Sequence, residues 1–285
     1  AAIFALVGVV PGVLIYVVSY QFVSRSIESW FDVKVEGALA AGLSLGRATL
    51  DTMSHDLNQK TRVAAAALTD VSDADSVKAL ADFSEKRFGD IHVSFNNAGV
   101  AMHGVPMEKM DLKDWQWVID VNIKSVVHAI AHILPRLRRH GQVAHFINTA
   151  SIGGLQVNPN WLTGAYSMTK YAVVAMSEGL RNELADTAVK VSVLCPGAVA
   201  SDFGSASSRP TRLGGPTQRS EQAFLAQALS TAGVTPEFVA RRIWAALEND
   251  EFFIFTDSAM RSVIEQRHQQ ILQGLELADA FRAHT

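Results

Sequence analysis

The chain has 285 residues, of which 48% are apolar and 19% charged. That balance excludes a mostly disordered polymer, and a net charge of −3 excludes a chain-wide basic surface for nucleic acid. The single cysteine, Cys195, excludes a disulfide framework and any cysteine-built metal or iron–sulfur site.

The first charged residue is Arg25, and the apolar run before it, AAIFALVGVVPGVLIYVVSYQFVS, is long enough to cross a hydrocarbon core as a helix. It has no basic start and no clear cleavage site, so it reads less well as a secretory signal. A buried helix or strand pair in a soluble core is the plainer alternative. Over residues 25–62 apolar residues recur at three and four (Trp30, Val33, Leu39, Leu43, Leu50, Met53, Leu57), which predicts one or two amphipathic helices.

From about residue 63 the pattern becomes strands alternating with helices. A short strand in RVAAAALTDV ends at Asp70, and a helix follows over 73–88 with Val77, Leu80 and Phe83 on one face. IHVSF (91–95) reads as a buried strand closed by NNAG. Asp111 caps a long helix over 112–139, QVAHFINTA (142–150) is the next strand, a helix covers 164–186, and KVSVLCP (190–196) is a strand. Helices near 219–231 and 236–248, a strand at 251–255 and a helix at 258–274 complete the series. Such alternation predicts a parallel sheet with helices on both faces. The Gly-, Ser- and Pro-rich stretch 201–217 reads as a loop of the kind that forms a lid.

In an open parallel sheet, ligands bind beyond the carboxyl ends of the strands. Three polar groups fall at such ends: Asn96-Asn97-Ala98-Gly99, Ser151 in NTASIGG, and Tyr166 with Lys170 in YSMTK. A spacing of four sets Tyr166 and Lys170 on one helix face. An ammonium beside a phenol favours the phenolate, which yields a proton donor and acceptor usable near neutral pH. Each group alone has a bland reading as a turn or a surface pair; together they point to one active site.

These residues carry a resemblance. NNAG at 96–99, Asn122 in DVNIKS, Ser151, YSMTK at 166–170 and PGAVASD at 196–202 match, in order and spacing, the short-chain dehydrogenase/reductases over about residues 63–275. The resemblance implies an α/β, Rossmann-like doubly wound parallel sheet and hydride transfer between NAD or NADP and an alcohol or ketone. It implies a catalytic set of Asn122, Ser151, Tyr166 and Lys170. Ser151 holds the substrate oxygen and Tyr166 is the general acid or base. Lys170 binds the nicotinamide ribose and lowers the Tyr166 pKa, and Asn122 supports a proton relay. It sets Asp70 and Val71 beside the adenine, and Asn97, Ala98, Gly99, Tyr166, Lys170, Pro196, Gly197, Val199 and Ser201 along the cofactor. A lid is expected at about 201–231, a tail at 276–285, and a homo-oligomer through the helices at 112–139 and 164–186.

The family's opening TGxxxGxG turn, which receives the cofactor pyrophosphate, does not occur in this sequence. The fold is therefore expected to be truncated in its N-terminal half, with residues 1–62 an apolar helix and an amphipathic helical segment in place of the first two strands. That stretch resembles the N-terminal membrane and sensor region of nitrogen-regulation sensor histidine kinases, on the proline-broken apolar run and RSIESWFDVKVEGALAAGLSLGR. No phosphoacceptor helix or ATP-binding glycine boxes follow, so kinase activity does not carry over. The expected setting is a cytoplasmic catalytic domain, membrane-associated through residues 1–24. Two rival readings are a non-catalytic remnant and a sensory or structural membrane protein. His128, His132 and His140 read as surface or interface histidines, with no metal site expected. Cys195 reads as an apolar filler, and Trp115 and Trp117 as packing residues.

Overall fold

The computed structural model describes residues 6–10, 13–17, 64–66, 69–158, 161–201, 203, 209, 211–215, 227, 231 and 233–283. Its centre is a seven-stranded sheet: β1 (Leu6–Val10), β2 (Val13–Val17), β3 (Ala64–Ala66), β4 (Val93–Asn96), β5 (Ala144–Thr149), β6 (Val189–Cys195) and β7 (Phe253–Phe255). The spatial order is β3-β1-β2-β4-β5-β6-β7. Strands β2, β4, β5, β6 and β7 pair in parallel, while β1 runs antiparallel to both β2 and β3.

The apolar run at the N-terminus is thus a strand pair and not the predicted helix. Val10 pairs with Val13 across Pro11-Gly12, and Ile15 pairs with Val93 of β4. The sequence gives the reason. Valine and isoleucine dominate both strands, and β-branched side chains fit a pleated surface better than a helix. Pro11 also works against a continuous helix through the run, because it lacks an N–H and clashes with the preceding turn. The sheet positions expected to be missing are therefore filled, and β4 is not left as an exposed edge. The amphipathic helices expected over 25–62 lie outside the described residues.

The remainder follows the alternating pattern. Helix α1 (Ala74–Phe88) starts at Asp73, whose carboxylate accepts from the Ser76 N–H, the usual way an N-terminus satisfies a free donor. Val77 and Leu80 are buried as expected, but Phe83 is 38% exposed and Ala81 and Ser84 take the inward positions.

The helix predicted over 112–139 is divided. It comprises α2 (Leu112–Ile119), a π-helical turn (Asp120–Lys124), α3 (Ser125–His132) and α4 (Leu134–Arg139), the last opening with Pro135. Its length and hydropathy would suit a membrane span, yet more than half of the most apolar window is buried in the domain. Trp117 and Leu137 are fully enclosed.

Helix α5 (Gly164–Glu183) packs on the turn after β5, and α6 (Pro236–Glu248) packs under Ile254 with Val239, Ile243 and Ala246. Helix α7 (Arg261–Ala283) runs nine residues past its predicted end at 274, and residues 271–283 are exposed throughout. The larger core lies on the α1–α5 side of the sheet, around Phe146, Trp117, Leu137 and Val173.

Candidate active site

The carboxyl ends of β4, β5 and β6 open on the same edge, because the three strands are parallel and adjacent. Below the opening a chain of polar side chains ties strand to strand and to α5. The Ser94 hydroxyl donates to Asn96 Oδ1 (3.1 Å), Asn96 Nδ2 to Asn148 Oδ1 (2.8 Å), and Asn148 Nδ2 to Ser177 Oγ (2.9 Å). The Ser177 hydroxyl donates on to the Val173 carbonyl (2.7 Å). Every member is buried and partnered, the condition under which a polar network makes an interior rigid.

Asn122 lies on the π-helical turn, a local widening that often marks functional positions. Its amide clamps the loop after β4. Oδ1 accepts from the Val100 N–H (2.8 Å), and Nδ2 donates to the Val100 carbonyl (3.0 Å) and to Thr169 Oγ1 (3.0 Å). The Thr169 hydroxyl donates to the Tyr166 carbonyl (2.7 Å), so Asn122 joins the β4 loop to the first turns of α5.

Ser151 caps a short 3-10 turn, Ile152–Gly154, and its Oγ accepts from the Gly153 N–H (3.1 Å). A Cβ on Gly153 would meet Ser151 Oγ at 3.5 Å and Tyr166 Cε1 at 3.6 Å, which sets the serine hydroxyl beside the tyrosine ring. Gly154 has a specific reason to be glycine: a Cβ there would lie 2.6 Å from the Lys170 carbonyl oxygen, so a side chain would push the turn off α5. The fifteen residues from Ser151 to Tyr166 thus close into one contact.

Lys170 is buried, and its Nζ donates to the Thr149 carbonyl at the end of β5 (2.8 Å). Nζ lies 5.7 Å from the centre of the Tyr166 ring. Burial holds the Lys170 amine down to about 8, with the neighbouring Cys195 thiol pulling the other way. Burial pushes the Tyr166 phenol up to about 12, against the hydrogen bond from Ser151 and with a smaller contribution from Cys195. The resemblance implies a phenol lowered by Lys170; here desolvation of the phenolate dominates, and Lys170 is not among the groups that shift it. Cys195 is buried, and desolvation raises its thiol to about 12, so it behaves as the apolar filler expected.

The expected cofactor residues are arranged as follows. The Asp70 carboxylate accepts from the Ser72 N–H (2.8 Å) and hydroxyl (2.6 Å), and the Val71 carbonyl accepts from His128 Nδ1 (2.9 Å). Val71, Asn96, Asn97, Ala98 and Ser125 line one cleft beside β4. Asn97 Oδ1 accepts from the Thr149 hydroxyl (3.0 Å). A Cβ on Gly99 would approach Lys170 Nζ to 3.4 Å and Asn122 Oδ1 to 3.5 Å.

The Pro196 carbonyl accepts from the Ile152 N–H (3.0 Å), and the Gly197 N–H donates to Thr256 Oγ1 (3.0 Å). A Cβ on Gly197 would strike the Asp257 carboxylate at 2.5 Å. Val199 bridges to Val234, and the Ser201 hydroxyl reaches the Val199 carbonyl at 3.4 Å.

This half fits a nicotinamide nucleotide. Lys170 has three N–H donors, one of them given to the Thr149 carbonyl, leaving capacity for a ribose hydroxyl beside a glycine that keeps the approach open. The residues that follow β2, where a pyrophosphate-receiving turn stands in such sheets, lie outside the described residues.

Two rings complete the surroundings of Tyr166: His103, which the sequence did not single out, and Phe203, whose place in the lid stretch slightly favours an apolar substrate. The His103 ring lies 5.0 Å from the Tyr166 ring, tilted by 37°, and Phe203 lies 5.9 Å away. The Gly104 N–H donates to the Leu162 carbonyl (3.0 Å), joining the loop after β4 to the loop before α5. Both loops lack hydrophobic periodicity, so only the nearby NNAG and YSMTK motifs pointed toward them.

Comparison with known proteins agrees with this geometry. The family model described as short chain dehydrogenase matches residues 33–211. A 1-deoxy-11-beta-hydroxypentalenate dehydrogenase from Streptomyces exfoliatus is 32% identical over 213 residues, 74% of this chain and 71% of that protein. A CLA biosynthesis dehydrogenase/reductase from Lactiplantibacillus plantarum is 28% identical over 88% of this chain and 92% of its own length. The crystal structure of a short chain dehydrogenase/reductase from Burkholderia phymatum, in complex with NAD, superimposes with a TM-score of 0.69. It is 31% identical and covers 73% of this chain and 76% of that one.

The chain belongs to the short-chain dehydrogenase family. It is an NAD(P)-dependent oxidoreductase of that type, and its Rossmann-like sheet carries the nicotinamide nucleotide site. The family match begins at residue 33, so it takes in much of the segment 25–62 that precedes the alternating strands and helices, and no comparison supports a sensor-kinase region there.

Proposed function

We infer that the protein interconverts a secondary alcohol and a ketone, with Tyr166 as the proton donor to the carbonyl oxygen. The observation that carries this is the convergence of Ser151 and the buried Tyr166 on Gly153, one helical turn from the buried Lys170 that is anchored on Thr149. When bound, NAD(P)H supplies the hydride and the chain supplies position and protons. Ser151 holds the substrate oxygen against Tyr166, and Lys170, anchored on Thr149, presents its remaining donors to the ribose. Asn122 is a positioning residue: its amide is engaged by Val100 and Thr169, and it acts by fixing the β4 loop against α5.

The Streptomyces relative is, by its name, a dehydrogenase of a hydroxy compound, which supports an alcohol as substrate. The apolar surface outside α3 and α5, with Val127 43% and Met168 37% exposed, supports a homo-oligomer formed through these helices. Membrane attachment or a sensory role through residues 1–24 is a separate reading, and it requires β1 and β2 to leave the sheet.

Calorimetric titration of the intact chain with NADH and with NADPH tests the main reading. Saturable binding of at least one is expected, followed by reduction of ketones in its presence. Folded protein that binds neither is a remnant of an active site and not an enzyme.

A further inference from the structure

Arg209 is 7% exposed, and it is anchored at the start of α2. Its Nη1 donates to Asp114 Oδ1 (3.1 Å) and lies 3.5 Å from Asp111 Oδ2. Asp114 is itself buried, so the two make a buried ion pair. The chain that follows folds back on the same guanidinium, because Arg209 Nε donates to the Gly215 carbonyl (3.2 Å). Gly214 and Gly215 have φ of +102° and +79°, a region that glycine enters without strain. A Cβ on Gly214 would meet Arg209 Nη2 at 3.2 Å. Between these points Thr211–Leu213 is a 3-10 turn, and Leu213 packs against the larger core.

The same turn reaches the wall of the cleft beside β4. Arg212 Nη2 donates to Ser72 Oγ (3.0 Å), and Nη1 lies 4.0 Å from Asp120 Oδ2, two residues before Asn122. The Ser72 hydroxyl donates in turn to Asp70, and Val71, which stands between them, lines the cleft. The loop Asp70–Ser72 is thus held from α3 by His128 and from the 209–215 turn by Arg212. A buried ion pair is a weak source of net stability, yet losing one partner is costly because the other charge is left buried alone. That asymmetry suits a latch, which resists partial opening.

We propose that residues 209–215 are a strap latched by Arg209 on Asp114, and that through Arg212 the strap holds the loop Asp70–Ser72 against the cleft. Arg209 and Arg212 are then positioning residues for the nucleotide, a role that rests on the reading of this cleft as the adenine end of the NAD(P) site. Opening the strap frees Ser72 and loosens the wall at Val71. A nucleotide seated against Val71 holds the loop and keeps the strap closed. The coupling is reciprocal: the factor by which the closed strap raises nucleotide affinity is the factor by which bound nucleotide favours closure.

Trypsin reads the strap directly. Within 201–217, Arg209 precedes Pro210, a bond trypsin does not cut, so Arg212–Leu213 is the susceptible bond. It can be cut only after the Arg212 side chain leaves Ser72. Cleavage there in the intact chain is followed by mass spectrometry, relative to cleavage after Lys170, which is buried inside α5 and reports opening of the whole domain. Wild type is compared with Arg209→Met, which leaves the tryptic sites of this stretch unchanged, and with Ser72→Ala, which removes the hydroxyl that Arg212 holds. Affinity for NADH and NADPH is measured by calorimetry on the same proteins.

Arg209→Met is expected to be cut at Arg212–Leu213 about tenfold or more faster than wild type. Saturating nucleotide is expected to slow the cut in wild type about fivefold or more, and both variants to bind nucleotide about fivefold or more weakly. Arg209→Lys, which keeps the charge, should restore part of the protection and part of the affinity together. A wild-type strap that is cut as fast as that of Arg209→Met removes the latch. Nucleotide that binds wild type without slowing the cut, or variants that bind it as tightly as wild type, make the strap a structural element and overturn the positioning role. If Arg209→Met does not fold, Ser72→Ala and the effect of nucleotide on wild type decide. A folded wild type that binds neither nucleotide, yet is cut slowly and in an Arg209-dependent way, overturns the nucleotide reading of the cleft and leaves the latch standing.

Discussion

The two halves of the sheet are built by different means. At β4 and β5 the strands end in polar residues whose side chains are tied to a neighbour: Asn96 to Asn148 and Thr149 to Asn97, with Lys170 of α5 bonded back to the Thr149 carbonyl. From β3 to β2, the positions are filled by short apolar strands, one of them running against the others. Backbone pairing is nearly indifferent to sequence, so a valine-rich hairpin can occupy a strand position that another connection fills in a regular doubly wound sheet. Catalytic groups have no such freedom. A tyrosine, a serine and a lysine must meet within hydrogen-bond reach, and the buried network under them fixes where they meet.

The sharpest way to separate the halves is to remove the hydroxyl proposed as proton donor, and nothing else. Tyr166→Phe keeps the ring between His103 and Phe203 and deletes the phenol hydroxyl alone. Turnover is expected to fall by about 10²–10⁴, the usual contribution of a positioned proton donor. The cofactor dissociation constant should stay within a few-fold of wild type. Steady-state kinetics with calorimetry on the same preparation would check both, and retained turnover would remove Tyr166 from its role.

The other half is broken through its backbone. Ile15 pairs with Val93 in the middle of β2, where proline cannot donate to the ladder. Ile15→Pro should lower the unfolding free energy by roughly 2 kcal/mol or more, the cost of losing a buried backbone bond together with the partner it leaves unpaired. Urea denaturation measures this directly. A domain whose stability is indifferent to Ile15→Pro, and which needs detergent to stay in solution, would restore the membrane reading of the apolar run.

The same contrast explains what was legible in the sequence. Helix α1, strands β4 to β6 and helices α5 and α6 follow from hydrophobic period and caps, and the site residues follow from motifs that chemistry restricts. The N-terminal run misleads because length and hydropathy are shared by a membrane helix and a buried hairpin. What decides between them is the Pro11-Gly12 break and the density of β-branched residues, which hydropathy does not register. The division of the 112–139 segment was hidden for a different reason. A π-helical turn at Asp120–Lys124 keeps the apolar spacing nearly helical, and Asn122 is polar for the sake of a loop contact 22 residues earlier in the chain. His103 was invisible because it lies in an aperiodic loop and acquires meaning only from the Tyr166 ring it faces.

The smallest expected effect lies inside the catalytic half and concerns its charge. The Lys170 amine is held down to about 8 by burial, so between about pH 8 and its ordinary 10.5 the folded chain binds fewer protons there than the unfolded chain. By linkage, stability from this group rises with pH across that window, and below it the fold carries the full cost of a buried ammonium. Cys195 acts in the opposite sense, because its raised thiol keeps its proton in the folded state above the ordinary value of 9.0. The clean interval is therefore pH 8 to 9. There the unfolding free energy of wild type relative to Lys170→Met should rise by on the order of 1 kcal/mol. Urea denaturation at half-unit steps of pH would show it. A flat difference would mean that the ammonium survives burial undiminished, and that the bond to the Thr149 carbonyl compensates its lost hydration.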